Sequence, residues 1–429
     1  MTVIPFSISS LPGPEDILRN RLANGATVLC RANFSSPAVA FRGYLPAGTI
    51  AEPAGKNGLA NVTSSTLMAG TRRHAFQALH DAIESMGASL SISSGKLATT
   101  IGGNCLQEDL GTLLKLLREM LGEPAFPEDH LQRVKTQTLT AIAIMQQDTA
   151  EMADEAYDRL FYGSHPYAIP DIGYTQDVAG IQREDVVEFH HRHYGPKGMV
   201  MAFSGGVEPE KALESFADIF GNWDNPAQQA RPELPPYVGV SQTRREHVPL
   251  EEKSQTDLVI GTLAPKTHGP DYQACTLGDS ILGQFGMMGR IGESVREKAG
   301  LAYYAHSNLE GGLGPVSWRV EAGVNPDNLD KAIGLILEEI KRFINEPVSD
   351  EELDDVRSQA LGRLPLALES NAGIAGTLVS MERYQLELDY LRKLPERLAA
   401  VNAQQILEAA RRYWDPEKLV ITSAGRALA

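Results

Sequence analysis

PAFPEDHLQRVKTQ, residues 124–137, recurs as PVSDEELDDVRSQ, residues 347–359. Leu131, Val134, Lys135 and Gln137 match Leu353, Val356, Arg357 and Gln359 at one constant offset. Each copy starts acidic and continues with apolar residues at helical spacing. Each therefore opens a long amphipathic helix whose first-turn carboxylates complement the helix dipole. A second pair follows in the same order, RHYGPKGMVMAFSG (192–205) and RYWDPEKLVITSAG (412–425). In both, a helix ends at an aromatic residue, a Pro-containing turn follows, and an apolar strand closes the half. Two matches in one order and at nearly one offset mark an internal duplication of an α+β unit.

The junction falls in NWDNPAQQARPELPPYVGV (222–240), whose four prolines and weak periodicity read as a stiff, extended connector. The expected division is a first domain over 1–221, the linker 222–240 and a second domain over 241–429. Asn24-Gly25 lies between two strand-like runs and reads as a hairpin turn. A strand over 38–45, helices over 58–68 and 75–86, a strand pair near 88–103 and a helix over 106–120 follow. The second half repeats the order, with strands to 263, a helix over 271–282, a helix ending near 298 and strands over 301–324.

At 429 residues the chain is too long for one ordinary core and suits two domains of about 200 residues each. Its net charge of -16 argues against nucleic acid, since a phosphate-binding surface needs an excess of Lys and Arg. Cys30, Cys105 and Cys275 are far apart, odd in number and in no C-x-x-C pair, so buried free thiols are expected. Residues 1–10 hold no basic residue and no long apolar run, and no stretch reaches membrane-spanning length. A cytoplasmic location follows, or a periplasmic one if a signal has been removed.

Residues 58–71 read GLANVTSSTLMAGT. This resembles the pitrilysin/insulinase family of inverted zincins, whose zinc subunits carry H-x-x-E-H inside a frame like G-L-A-H-x-x-E-H-x-x-x-x-G-T. Gly58, Leu59, Ala60, Gly70 and Thr71 keep the frame, while the working positions hold Asn61, Ser64 and Ser65. Two His one helical turn apart bind one zinc, and the Glu between them serves as general base. Neutral Asn and Ser oxygens do neither. The resemblance implies a third ligand, a Glu near Ala141, yet no Glu occurs between Glu128 and Glu151. No zinc is expected in this chain. Read alone, the string is a Gly-bounded helix packed by small residues.

Residues 282–303, LGQFGMMGRIGESVREKAGLAY, resemble the family's glycine-rich turn and the helix R-L-x-x-x-V-R-E-K-x-G-L-A-Y that follows it. Arg290, Val295, Arg296, Glu297, Lys298, Gly300, Leu301, Ala302 and Tyr303 match, and Ile291 replaces a Leu. In the family, the Arg and Tyr at the places of Arg296 and Tyr303 face the zinc from the opposite domain. Guanidinium chemistry suits Arg296 to hold a substrate carbonyl, and the Tyr303 hydroxyl can donate to a developing oxyanion. Outside this motif the same residues read as a solvated helix end and a half-buried strand position. Tyr304 points to the other strand face and reads as structural. Gly283, Gly286 and Gly289 lack the surroundings of a phosphate loop. They read as a turn, with a substrate-handling role implied by the resemblance to mitochondrial processing peptidase. His190, His191 and His193 (HHRHY) read as a solvated helix end. His165, in the GSHPY loop, is not a ligand in the family.

The resemblance spans nearly the whole chain and is strongest to the small bacterial two-subunit branch, in which two chains close as a clamshell. It implies an antiparallel-rich sheet flanked by long helices in each half. It further implies a zinc-free subunit that is inactive alone and gives Arg296 and Tyr303 to an H-x-x-E-H partner carrying zinc, for peptide hydrolysis. The alternatives are an inert scaffold like the core subunits of the bc1 complex, or a peptide-binding homodimer.

Overall fold

The computed structural model describes residues 7–427. The first six residues, part of the stretch read for a signal, lie outside it. The fold is α+β. A six-stranded sheet is built from β1 (Leu18–Arg21), β2 (Thr27–Ala32), β3 (Ala38–Leu45), β4 (Ser89–Ser94), β5 (Thr99–Leu106) and β6 (Val200–Gly205). A five-stranded sheet is built from β7 (Arg244–Pro249), β8 (Thr256–Leu263), β9 (Ala302–Leu309), β10 (Ser317–Val324) and β11 (Val420–Gly425).

The orders are β1-β2-β6-β3-β5-β4 and β7-β11-β8-β10-β9. Apart from the extra β1, the second repeats the first. β2 pairs parallel with β6, and β7 pairs parallel with β11; the other neighbours are antiparallel. β6 and β11, the closing strands of the second sequence match, occupy the same place and are buried throughout. The Asn24-Gly25 turn joins β1 to β2, and its left-handed backbone at Gly25 (φ 92°) suits glycine.

In the first half the helices are α1 (Leu59–Thr66), α2 (Phe76–Ser85), α3 (Leu110–Gly122), α4 (Glu128–Met145), α5 (Thr149–Tyr162), α6 (Thr175–Gly180), α7 (Arg183–His193) and α8 (Pro209–Phe220). In the second they are α9 (Tyr272–Asp279), α10 (Phe285–Gly292), α11 (Leu329–Asn345), α12 (Asp350–Ala367), α13 (Asn371–Arg383), α14 (Tyr390–Ala400) and α15 (Ala403–Tyr413). The duplicated segment opens α4 and α12, both with acidic first turns. Residues 222–240 form neither helix nor strand.

Each sheet has a core on its own helices, with Phe41, Phe203 and Phe216 in the first and Trp318, Phe343 and Trp414 in the second. The opposite faces are covered by exchange. α5, from the first half, packs on β8 and β11, and α13, from the second, packs on the equivalent β3 and β6. Coverage of both faces explains why β6, β8 and β11 are buried almost throughout rather than at alternate residues. Tyr157 and Phe161 of α5 are buried against Val259 and Val420, and Ile374 and Leu378 of α13 against Val200 and Ala202. Thr422 donates to the Ala153 carbonyl at 2.8 Å, and Asn371 donates to the Ala38 carbonyl at 2.9 Å.

An ionic cluster locks α5 in place. Arg319 on β10, its side chain 6% exposed, meets Asp154 and Asp158 of α5 and also Glu310 at 3.4 Å. Its guanidinium lies 4.4 Å from the Tyr157 ring centre. Burial acts against the charge on Arg319, but Asp158, Glu310 and Asp154 outweigh it and hold the group firmly protonated. Burial pushes Asp158 up to about 6 despite Arg319. Arg319→Met leaves these carboxylates without their cation and is expected to cost about 3 kcal/mol. Urea unfolding at neutral pH reads the loss.

Candidate functional site

The degenerate motif lies on α1, which starts at a left-handed Gly58 (φ 95°). A Cβ at Gly58 would lie 2.6 Å from the Ile172 carbonyl oxygen, so glycine is required twice over. Glu52 caps the helix: its carboxylate accepts from the backbone N–H of Ala60 at 2.7 Å and of Gly58 at 3.1 Å. Burial raises the Glu52 carboxyl to about 8, against the pull of those two donors. Nothing near Glu52 in the sequence marks it as a cap.

α1 packs against α4, the helix carrying Ala141. The frame of the zinc motif is therefore present without its donors. Asn61 is half-buried, Ser64 buried and Ser65 exposed. The Ser64 hydroxyl donates to the Asn61 carbonyl at 3.0 Å, an ordinary helical back-bond. Neutral oxygens opposite an alanine do not fit zinc, which needs three protein ligands in a catalytic site. Among the described residues no three or more His, Cys, Asp or Glu side chains are grouped to hold a metal ion.

The second motif is built differently. The glycine-rich turn separates a π-helical turn, Ser280–Gln284, from the helix that ends in a second one, Glu293–Lys298. Gly286 (φ 61°), Met288 (φ 76°) and Gly289 (φ 63°) are all left-handed. A Cβ at Gly283 would lie 2.4 Å from the Ser307 backbone nitrogen, and one at Gly289 would lie 2.6 Å from the Gly283 nitrogen. Gly283 and Gly289 thus let the turn close on itself and on β9, while Gly286 has open space in front of it. Asp279 anchors the base of the turn. It accepts from Trp318 Nε1 at 2.7 Å, Gln284 Nε2 at 2.7 Å and the Ser307 hydroxyl.

Arg290 is a structural member of the motif. It pairs bidentately with Glu352 at 2.7 Å on both arms, and Glu352 also completes the capping box of α12 with Ser349. The motif helix is thereby pinned to the duplicated helix. Arg296 makes one loose ion pair, 3.5 Å to Glu297, and its side chain is 28% exposed. A left-handed Gly300 (φ 62°) turns the chain from this helix directly into β9, which carries Tyr303.

β9 is the edge strand of its sheet. Tyr304 faces inward and donates to Asp257 at 2.6 Å, and Asp257 also accepts from Thr149 of α5 and from Gln255. Gly323 makes room for this cluster, since a Cβ there would lie 2.6 Å from the Tyr304 ring. Tyr303, between Ala302 and Tyr304, is the extra residue of a β-bulge against Gly323 and Val324, and it is 82% exposed. Arg296 and Tyr303 therefore stand on consecutive elements, both away from the degenerate helix in sequence and sheet.

The histidine cluster differs from the expected solvated helix end. His191 is exposed, but His193 is buried and His190 is enclosed between Phe126 and Tyr194. His190 Nε2 bonds the Leu121 carbonyl at 2.9 Å, and burial lowers its pKa to about 4, so the ring is neutral. The helix presents this face to the core, which spacing within HHRHY does not reveal. His165 is also buried, with Nδ1 accepting from the Tyr167 N–H at 3.1 Å. All three cysteines are free and buried, and burial pushes the Cys30 and Cys105 thiols up to about 12.

Two outcomes follow from this geometry. Arg290 holds the Glu352 carboxyl down at about 2, with burial opposing and the Ser349 N–H assisting. A depressed carboxyl stabilises the fold fully above its unfolded value and loses that effect as pH falls toward the folded one. Glu352→Gln is thus expected to lower the urea midpoint at pH 7, with the gap to wild type narrowing from about pH 5 to pH 3. Separately, the triple change Asn61→His, Ser64→Glu, Ser65→His is expected to yield no stoichiometric zinc by elemental analysis and no chelator-sensitive peptidase activity, because Ala141 leaves the third ligand missing.

Comparison with known proteins places these features. A model described as insulinase, peptidase family M16, matches residues 27–172, and one described as the peptidase M16 inactive domain matches residues 180–360. An uncharacterized zinc protease of Streptomyces coelicolor is 22% identical over 407 residues, covering 93% of this chain and 87% of that protein. A non-peptidase homolog from Helicobacter pylori is 23% identical over 354 residues, covering 81% and 80%. The crystal structure of a peptidase M16 inactive domain from Pseudomonas fluorescens superposes with a TM-score of 0.89 at 26% identity, covering 96% of this chain and 98% of that one. With both motif frames in place and the metal-binding residues replaced, the chain belongs to peptidase family M16 as a relative without the family's zinc motif.

Proposed function

We propose that this chain is the zinc-free half of a two-chain peptidase and completes the active site of a homologous H-x-x-E-H subunit. The observation that carries this reading is Tyr303: an aromatic hydroxyl 82% exposed on an edge strand, in a chain whose own metal site is erased. Its neighbour in the motif, Arg296, is almost free of partners. A phenol without a hydrogen-bond partner among the described residues and a guanidinium with one loose ion pair are available to a site on another molecule.

In the assembled pair the partner's zinc supplies the activation of water. This chain's share is electrostatic. Arg296 holds a backbone carbonyl of the peptide through its planar set of donors. Tyr303 donates a hydrogen bond to the oxygen of the scissile carbonyl as negative charge gathers there. One such donor is worth about 2.7–4 kcal/mol of transition-state stabilisation. The exposed Gly286 and Met287 put the glycine-rich turn within reach of the same peptide.

The test is reconstitution. Purified alone in zinc, the chain is expected to be inactive on peptides; mixed with its co-purifying H-x-x-E-H protein it is expected to support chelator-sensitive cleavage. Tyr303→Phe in the mixture is expected to lower kcat by about a hundredfold or more without loss of complex. Near wild-type turnover by that variant would remove the assigned role, and chelator-sensitive activity of the chain alone would remove the reading.

A further inference from the structure

A cavity of about 500 Å³ opens between the two halves, and Tyr303 is not among its lining residues. Its walls come from the β4–β5 turn (residues 95–98), α5, Tyr167, the end of α13 and the β9–β10 loop. The acidic groups on these walls contact a cation, although Arg319 is shared with Asp154. Asp158 and Glu310 face Arg319, and Lys96 on the same wall is held by Asp171 at 3.2 Å and by the Ile169 carbonyl.

Arg383 is the exception. Among the described residues it has no hydrogen-bond or ion-pair partner, and it lies 5.7 Å over the ring of Tyr44. It stands in the last turn of α13, where a cation commonly serves the helix end. Here backbone amides already take those carbonyls: Tyr384 donates to Ser380 at 3.0 Å, Leu386 to Met381 at 2.8 Å and Gln385 to Glu382 at 3.1 Å. The guanidinium is left for the cavity.

Two neutral donors share the space. The Tyr167 hydroxyl has no hydrogen-bond partner among the described residues, and burial raises its pKa to about 12, so it keeps its proton. A Cβ at Gly314 would lie 2.5 Å from that hydroxyl, so only glycine leaves room beside it. The backbone N–H of Gly311, in the same loop, is also unpartnered among the described residues. A wall with spare donors, one of them a cation, and with its carboxylates turned to Arg319 can take an anionic acceptor at Arg383.

We infer that this cavity binds a carboxylate of a peptide, with Arg383 as its cation and Tyr167 and the Gly311 amide as neutral donors. A free C-terminus or an Asp or Glu side chain can supply that carboxylate. The inference needs the chain to bind peptide, and it does not need Tyr303 to complete a partner's site.

Fluorescence anisotropy on the purified chain tests it without a partner. The probes are one dye-labelled octapeptide lacking acidic residues, in free-acid and C-terminal amide forms, and the amide with one internal Asp. The free acid, the Asp peptide or both are expected to bind about tenfold more tightly than the plain amide. Which one does identifies the source of the carboxylate. Arg383→Gln is expected to abolish the preference while leaving the affinity for the plain amide unchanged, and Arg383→Lys to retain part of it. Lys341→Gln, on the exposed face of α11, controls for a general charge effect. Equal binding of all three peptides, no binding of any up to millimolar concentration, or a preference that survives in Arg383→Gln would each overturn the assignment. Such a failure leaves the Tyr303 reading standing, and failure of reconstitution leaves this one standing.

Discussion

The reciprocal exchange of α5 and α13 is what makes two copies of one unit a single molecule. A sheet whose central strands are apolar on both faces cannot leave one face to water. In each half the local helices cover only one face, so the other must be covered by a helix from the opposite half. Full burial of a large apolar side chain is worth about 1.5–3 kcal/mol. Each exchanged helix buries several, including Tyr157 and Phe161 on α5 and Leu378 and Met381 on α13. The two cores are therefore coupled: loosening either helix strips a face from the sheet of the other half.

That exchange was invisible to pattern reading, although most of its parts were legible. Hydrophobic periodicity and the repeated segments placed β3, α4, α12 and the closing strands β6 and β11 close to where they lie. The duplication even predicted their equivalent positions. Periodicity shows that a helix has an apolar face but not which sheet that face meets. The determinants are long-range: Arg319 meets Asp154 and Asp158 across 165 and 161 positions of sequence. Glu52 and the Asp257–Tyr304 bond are illegible in the string for the same reason, each being a polar residue whose partner is set by folding. The histidine run misled in the opposite direction. Its density looked like a polar surface, yet at helical spacing His190 and His193 share the face that Phe189 and Val186 turn toward the core.

At the site, legibility followed chemistry. The loss of the zinc motif could be read from residue types alone, because neutral Asn and Ser cannot replace imidazole and carboxylate wherever they point. The roles within the second motif could not. Arg290 and Arg296 look alike in the string, but one is bound bidentately to Glu352 and the other is nearly free. The glycines divide in the same way: Gly283 and Gly289 are demanded by close backbone approach, and Gly286 alone has open space before it. Motif membership and availability are different properties, and the second needs coordinates.

The duplication sharpens the meaning of Tyr303. β4 and β9 are equivalent edge strands, and the first half fills the exposed positions of its edge with Ser89, Ser91 and Ser93, small polar residues. The second half places Tyr303 on its edge with most of the ring in water. An exposed aromatic on an unpaired edge is a liability, since it invites pairing with other chains. Nothing in the fold requires it, because the strand is already held from the inner face by Tyr304, Asp257 and Thr149. Tyr303 is thus a residue that the sheet does not need, beside a buried hydrogen-bond cluster that it does not join.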